Sequence, residues 1–188
     1  MIREAYERAA QMFVDTVQQV GDDQWDRIAL GEWTVRDLVG HTNRALLTVE
    51  TYLGQPAPTV EVERAVDYFI RASAALADPA AVAARGREAG QALGDDPATT
   101  VRETAERVLA GVGAAADDAS LTTPVGGMRL IDYLPTRVLE LTVHTLDIAA
   151  AISTPVTLAA SRPDRVAPLL LAATGRQALP PGYSVFSA

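Results

Sequence analysis

Cysteine is absent from all 188 residues, and its absence excludes two things. The chain can form no disulfide, and it has no thiolate of its own to act as nucleophile or metal ligand. Any metal must be held by His, Asp or Glu, and any thiol chemistry must draw on an external thiol. Lysine is absent too, so all sixteen basic residues are arginine. Against 24 acidic residues they leave a formal charge of −8, and no run of arginines makes a local basic patch. That is the opposite of a nucleic-acid binder's footprint, so no nucleic-acid partner is expected. Nothing approaches the length of an apolar membrane span, so none is expected. The N-terminus, Met1 to Arg8, alternates charge instead of leading into an apolar signal core, which makes the cytoplasm the expected location.

What is present is ordinary for a globular chain: 48% apolar and 21% charged residues. A chain of this length is most simply one domain and buries roughly 70% of its unfolded surface. Arginine without lysine, with abundant Ala, Val and Gly, points to a GC-rich bacterial genome, a codon argument and not a physical one.

Apolar periodicity is helical nearly throughout, with no convincing period-two strand. Residues 3–20 read as a first helix that ends at Gly21-Asp22-Asp23. A loop containing Trp25 and Gly31 leads to a second helix, with Thr34 as N-cap and Asp37 three residues on. Val35, Leu38, Val39, Leu46, Val49 and Leu53 form its buried stripe, His41 lies beside it, and Gly54 ends it. Residues 60–76 read as a third helical segment built on Val60, Val66, Phe69, Ile70 and Ala74. Asp78-Pro79 opens an Ala-rich helix over 80–93, expected to pack weakly for want of large side chains. Pro97 opens a helix to about Ala110, and Gly111 to Gly127 reads as loop. The most apolar helix spans 130–152, with Pro135 in its first turn or at a kink. A short helix after Ser161-Arg162-Pro163 completes the chain. The expected class is all-α, a four-helix bundle with additional short helices.

Both histidines lie in segments rich in possible ligands. Glu140 and His144 are four apart, so on a helix they leave the same face. With His41 from the second helix they make three N/O donors, and three protein ligands leave an open position on a divalent metal. Arg137, Glu140, His144 and Asp147 share one stripe flanked by apolar residues on both sides. The plainer reading is a solvated face with intrahelical ion pairs, and the pattern alone leaves it open. A narrow charged stripe between apolar faces suits a polar cavity inside a bundle better than an exposed surface. His41 taken singly reads as a core histidine. Asn43 and Arg44 read as helix-surface residues, and Trp33 as structural.

W-T-V-R-D-L-V-G-H (Trp33 to His41), followed about a hundred residues later by E-x-x-x-H-x-x-D-I-A (Glu140 to Ala149), resembles the mycothiol-dependent maleylpyruvate isomerase family. That family belongs to the DinB/YfiT-like four-helix metal-binding superfamily. The resemblance covers roughly residues 1–152. It implies a DinB-like bundle over 1–152; beyond it, 153–188 is expected to be a short C-terminal helical extension packed on the same domain. It also implies that His41, Glu140 and His144 match the family's three metal ligands, usually assigned to zinc. Arg137 and Asp147 match recurrent positions nearby, where they orient His144 or bind an anionic group, an ion pair on the helix being the equal alternative.

The implied chemistry binds an exogenous thiol, mycothiol, at the open metal position and lowers its pKa. The thiolate then adds to a small electrophile, giving isomerisation or S-conjugation. The isomerase itself carries a further substrate-binding domain after this region, for which about 36 residues are too few. Thiol transfer to another electrophile is therefore expected at least as much as maleylpyruvate isomerisation. Two other readings stand beside the enzyme: a non-catalytic metal- or small-molecule-binding member of the fold, and an interaction bundle, such as a homodimer, with no stoichiometric metal.

Overall fold

The structure is a computed structural model and describes residues 1–75 and 79–155. The described elements are α1 (Ile2–Val17), β1 (Ile28–Leu30), β2 (Trp33–Thr34), α2 (Val35–Leu53), α3 (Ala65–Ala75), α4 (Pro79–Gln91), α5 (Pro97–Ala114), β3 (Ser120–Thr123), β4 (Gly126–Arg129) and α6 (Leu130–Ala151). Four long helices form the bundle: α1 packs on α5 and α6, and α2 packs on the same two. Each turns an apolar face inward. Tyr6 and Phe13 of α1, Leu38 and Leu46 of α2, Val101 and Val108 of α5, and Leu134, Leu141 and Ile148 of α6 are essentially inaccessible in one continuous core. This is an all-α DinB-like fold. No helix among the described residues is long and apolar enough to cross a membrane.

Local chemistry sets where α2 begins, and α2 carries His41. Thr34 is the N-cap; its Oγ1 accepts from the Asp37 amide at 3.2 Å, and Asp37 Oδ2 accepts from the Thr34 amide at 3.0 Å. This reciprocal box satisfies two of the amides that a helix start leaves unpaired. Helix α5 starts by the same logic, with Asp96 accepting from the Thr99 amide and Pro97 in the first turn.

Several expectations require correction. Two antiparallel hairpins occur where loop was expected: β1–β2, which turns at Gly31 with φ +59°, and β3–β4, paired from Ser120↔Arg129 to Thr123↔Gly126. Strands of two to four residues are too short to display period-two alternation. Helix α5 continues to Ala114, so only the first part of the expected 111–127 loop is helical. Val60 precedes α3, and Val60 and Ile70 are exposed, so neither builds that helix's buried face. Pro135 is the sixth residue of α6, inside the helix and past its first turn, which leaves the kink position of the two expected.

Helix α4 does not pack weakly. Its small residues let it approach α2 closely: a Cβ on Gly40 would lie 2.3 Å from the backbone of Ala89 and Gly90. The Arg36 Nε–H donates to the Gly90 carbonyl at 3.0 Å, and the Trp33 indole N–H donates to the Ala83 carbonyl at 3.1 Å. Helix α4 thus seats on the face of α2 that carries Gly40, the residue before His41. The expected helix after Pro163 lies outside the described residues, as does most of the expected 153–188 extension.

Candidate metal centre

His41 sits in the second turn of α2, and Glu140 and His144 sit one turn apart on α6, which packs across it. One nitrogen or oxygen from each of the three lies within 4.8 Å of the others. Among the described residues this is the group of His, Asp and Glu that could hold a metal ion. The two imidazoles meet edge to face with centroids 5.1 Å apart. Trp33 also packs on His41, with ring centroids 4.6 Å apart, and its indole N–H donates to the Ala83 carbonyl of α4.

His144 lies between two carboxylates: Nε2 is 3.4 Å from Glu140 Oε2, and Nδ1 is 3.2 Å from Asp147 Oδ2. Burial opposes charge on His144, but the bonds to Asp147 and Glu140 outweigh it and push its pKa up to about 9. Burial also opposes charge on Glu140; the His144 hydrogen bond and then Arg137 hold its carboxyl well below the usual range, at about 2. His41 goes the other way. Burial first, and His144 beside it next, hold its pKa down to about 4. The site therefore pairs a neutral imidazole with an ionised carboxylate, and places a second imidazole where two carboxylates favour positive charge.

That donor set fits a divalent cation. Nitrogen and carboxylate oxygen suit such an ion, and a dication would replace the single proton that the two carboxylates draw onto His144. In the tautomer whose Nδ1–H donates to Asp147, Nε2 would be left free to bind a metal, the usual way an outer carboxylate fixes a histidine's tautomer.

Of the residues expected near the site, Asp147 reaches His144 and Arg137 does not. Arg137 lies one turn before Glu140 and turns toward Tyr68 and Tyr133. Asn43, expected on the surface, is 3% exposed, and its Oδ1 is sealed without a hydrogen-bond partner. Tyr133 precedes Arg137 by four residues on α6, whereas Tyr68 was not legible beforehand because it comes from a separate helix, α3.

The opposed shifts define how stability should depend on pH in chelator-treated protein. His144, raised above its unfolded value of 6.5, contributes stability that is full below that value and is lost as pH rises toward about 9. His41, depressed below the same value, contributes stability that is lost as pH falls toward about 4. The pair therefore places a maximum near pH 6.5. At about 1.4 kcal/mol per pH unit, each flank is of order 3 kcal/mol. Thermal melts from pH 4 to 9 should show this maximum, and His144→Gln should flatten its alkaline side. A wild-type alkaline side already flat would mean that His144 is not held between the carboxylates.

A DinB-like four-helix bundle, with two histidines and a glutamate converging from facing helices, is the class of protein that the fold and site define. Residues 6–149 match the family described as mycothiol maleylpyruvate isomerase N-terminal domain. The chain belongs to that family. No curated protein and no solved structure matches it.

Proposed function

We propose that this protein is a divalent-metal enzyme that activates a low-molecular-weight thiol, mycothiol by family, for transfer to or isomerisation of a small electrophile. The observation that carries the reading is the convergence of His41, Glu140 and His144 within 4.8 Å, in a chain with no cysteine of its own. Zinc is the metal we favour, since it accepts two imidazoles and one carboxylate with a coordination position to spare.

A bound divalent cation would supply Lewis acidity, which keeps a thiol ionised at neutral pH. The chain's own residues do the rest. His41 presents an unprotonated nitrogen because burial keeps it neutral. Glu140 is ionised, and Asp147 holds the His144 ring in one tautomer and orientation. Trp33, packed on the His41 ring, limits water beside it. Addition of a thiolate to a conjugated C=C bond would leave a single bond free to rotate. Expulsion of the thiolate then returns the other isomer, whereas proton capture gives a stable S-conjugate.

Cobalt(II)-substituted protein tests the reading. Adding mycothiol, or N-acetylcysteine as a simpler thiol, should produce a sulfur-to-cobalt charge-transfer band, and the loaded enzyme should consume electrophile only with thiol present. Metal bound without the band or the turnover would favour a non-catalytic binding protein.

A further inference from the structure

Arg137 is the one charged residue among the described residues that is less than a tenth exposed, at 8%. A buried cation needs an anion or a full set of acceptors, because an unpaired one is costly. Its Nε–H donates to Thr136 Oγ1 at 2.9 Å, and Thr136 in turn donates to the Tyr133 carbonyl. Its two terminal nitrogens have no hydrogen-bond acceptor and no carboxylate in ion-pair range among the described residues. Glu140, the nearest carboxylate along α6, is turned to His144 instead. The guanidinium carbon lies 4.9 Å from the Tyr133 ring centroid and 5.4 Å from that of Tyr68, so two aromatic faces hold the plane in place.

Tyr68 adds an independent observation. It is 7% exposed, and its hydroxyl has no hydrogen-bond partner among the described residues. Tyr133, by contrast, has its hydroxyl engaged, donating to Thr48 Oγ1 at 3.1 Å. A forked cation whose terminal nitrogens have no acceptor among the described residues, and a phenol hydroxyl that has none either, therefore stand beside each other in a buried position, Arg137 one turn before Glu140.

We propose that Arg137 and Tyr68 form a carboxylate-binding subsite, so that one of the two reactants carries a carboxylate held there while its reacting atom lies at the triad. The guanidinium fork would take both carboxylate oxygens, and the Tyr68 hydroxyl would donate to one of them. Arg137 precedes Glu140 by three residues and His144 by seven, a rise of about 4.5 to 10 Å along α6. That rise limits how far the carboxylate can stand from the reacting carbon or sulfur. The part of this inference that concerns the reaction rests on the proposed function; the carboxylate subsite does not.

The test begins on chelator-treated protein, so that neither metal nor thiol takes part. Benzoate and benzamide, equal in shape but not in charge, are titrated by calorimetry. Benzoate should bind about tenfold or more tighter than benzamide. Arg137→Lys, which keeps the charge and loses the fork, should reduce benzoate affinity by about tenfold, and Tyr68→Phe by a few-fold, with melting temperatures unchanged in both. Equal binding of the two probes, or benzoate binding that neither variant weakens, would overturn the subsite.

With metal restored, two substrate pairs show which reactant carries the group: an α,β-unsaturated acid against its amide, and N-acetylcysteine against its amide. Arg137→Lys should raise KM for the acid of one pair, with kcat little changed. Absence of turnover in every pair would count against the proposed function and leave the benzoate result to decide the subsite.

Discussion

Replacing His144 by alanine is expected to reduce bound metal from about one equivalent to a trace. The substitution removes one of the three converging donors, and the two that remain come from different helices. It also strips Glu140 of the imidazole 3.4 Å away and Asp147 of the ring that it orients. Loss of an outer partner alone weakens metal affinity by about 10–100-fold, and loss of a ligand should exceed that. Asp147→Asn supplies the comparison: it keeps all three donors and removes only the outer carboxylate charge. It should retain full stoichiometry at saturating zinc with affinity lowered by about 10–100-fold. Inductively coupled plasma mass spectrometry gives the stoichiometry, and competition with a chromogenic chelator gives the affinity. Wild-type protein that arrives without metal, and takes up no zinc at micromolar concentration, would sink the metal reading. The polar stripe on α6 would then be a set of buried ion pairs around His144.

The parts of this molecule that could be read from the chain are those whose physics is local. Thr34 and Asp37 meet across three residues, so their capping box is visible in the letters alone. Glu140 and His144 meet across one helical turn, and with only two histidines in the chain His41 was the natural third donor. What could not be read depends on approach between distant segments. The β3–β4 strands are four residues each, and the Glu61 and Val62 amides donate to the Gly127 carbonyl, so a segment some 65 residues earlier in the chain braces that hairpin. Tyr68 lies on α3 and meets Arg137 only because α3 docks on α6. Helix α4 misled for a related reason: a lack of large side chains reads as a lack of contact, although smallness is what permits the closest helix approach.

Gly40→Ala puts that last point at risk, and it should destabilise the protein by about 2–4 kcal/mol. Alanine is the better helix former by roughly 1 kcal/mol, so propensity alone predicts the opposite sign. The added methyl, however, would stand 2.3 Å from the Ala89 carbonyl carbon and the Gly90 nitrogen. Those are backbone atoms and cannot rotate away, so α2 and α4 must separate and give up packing along their whole contact. The same substitution at Gly111, inside α5, supplies the control. A Cβ there meets nothing within 4 Å, so Gly111→Ala should stabilise by about 0.5–1 kcal/mol. For a chain of this size, the two variants should bracket the wild-type melting temperature, about 5–15 °C below it and a few degrees above. Separation of α4 would also withdraw the Ala83 carbonyl from the Trp33 indole, which packs on His41. Gly40→Ala should therefore weaken metal affinity while leaving every ligand in place, and Gly111→Ala should not. If both variants gain stability, α4 is not seated on α2 as described, and the wall behind His41 must come from elsewhere.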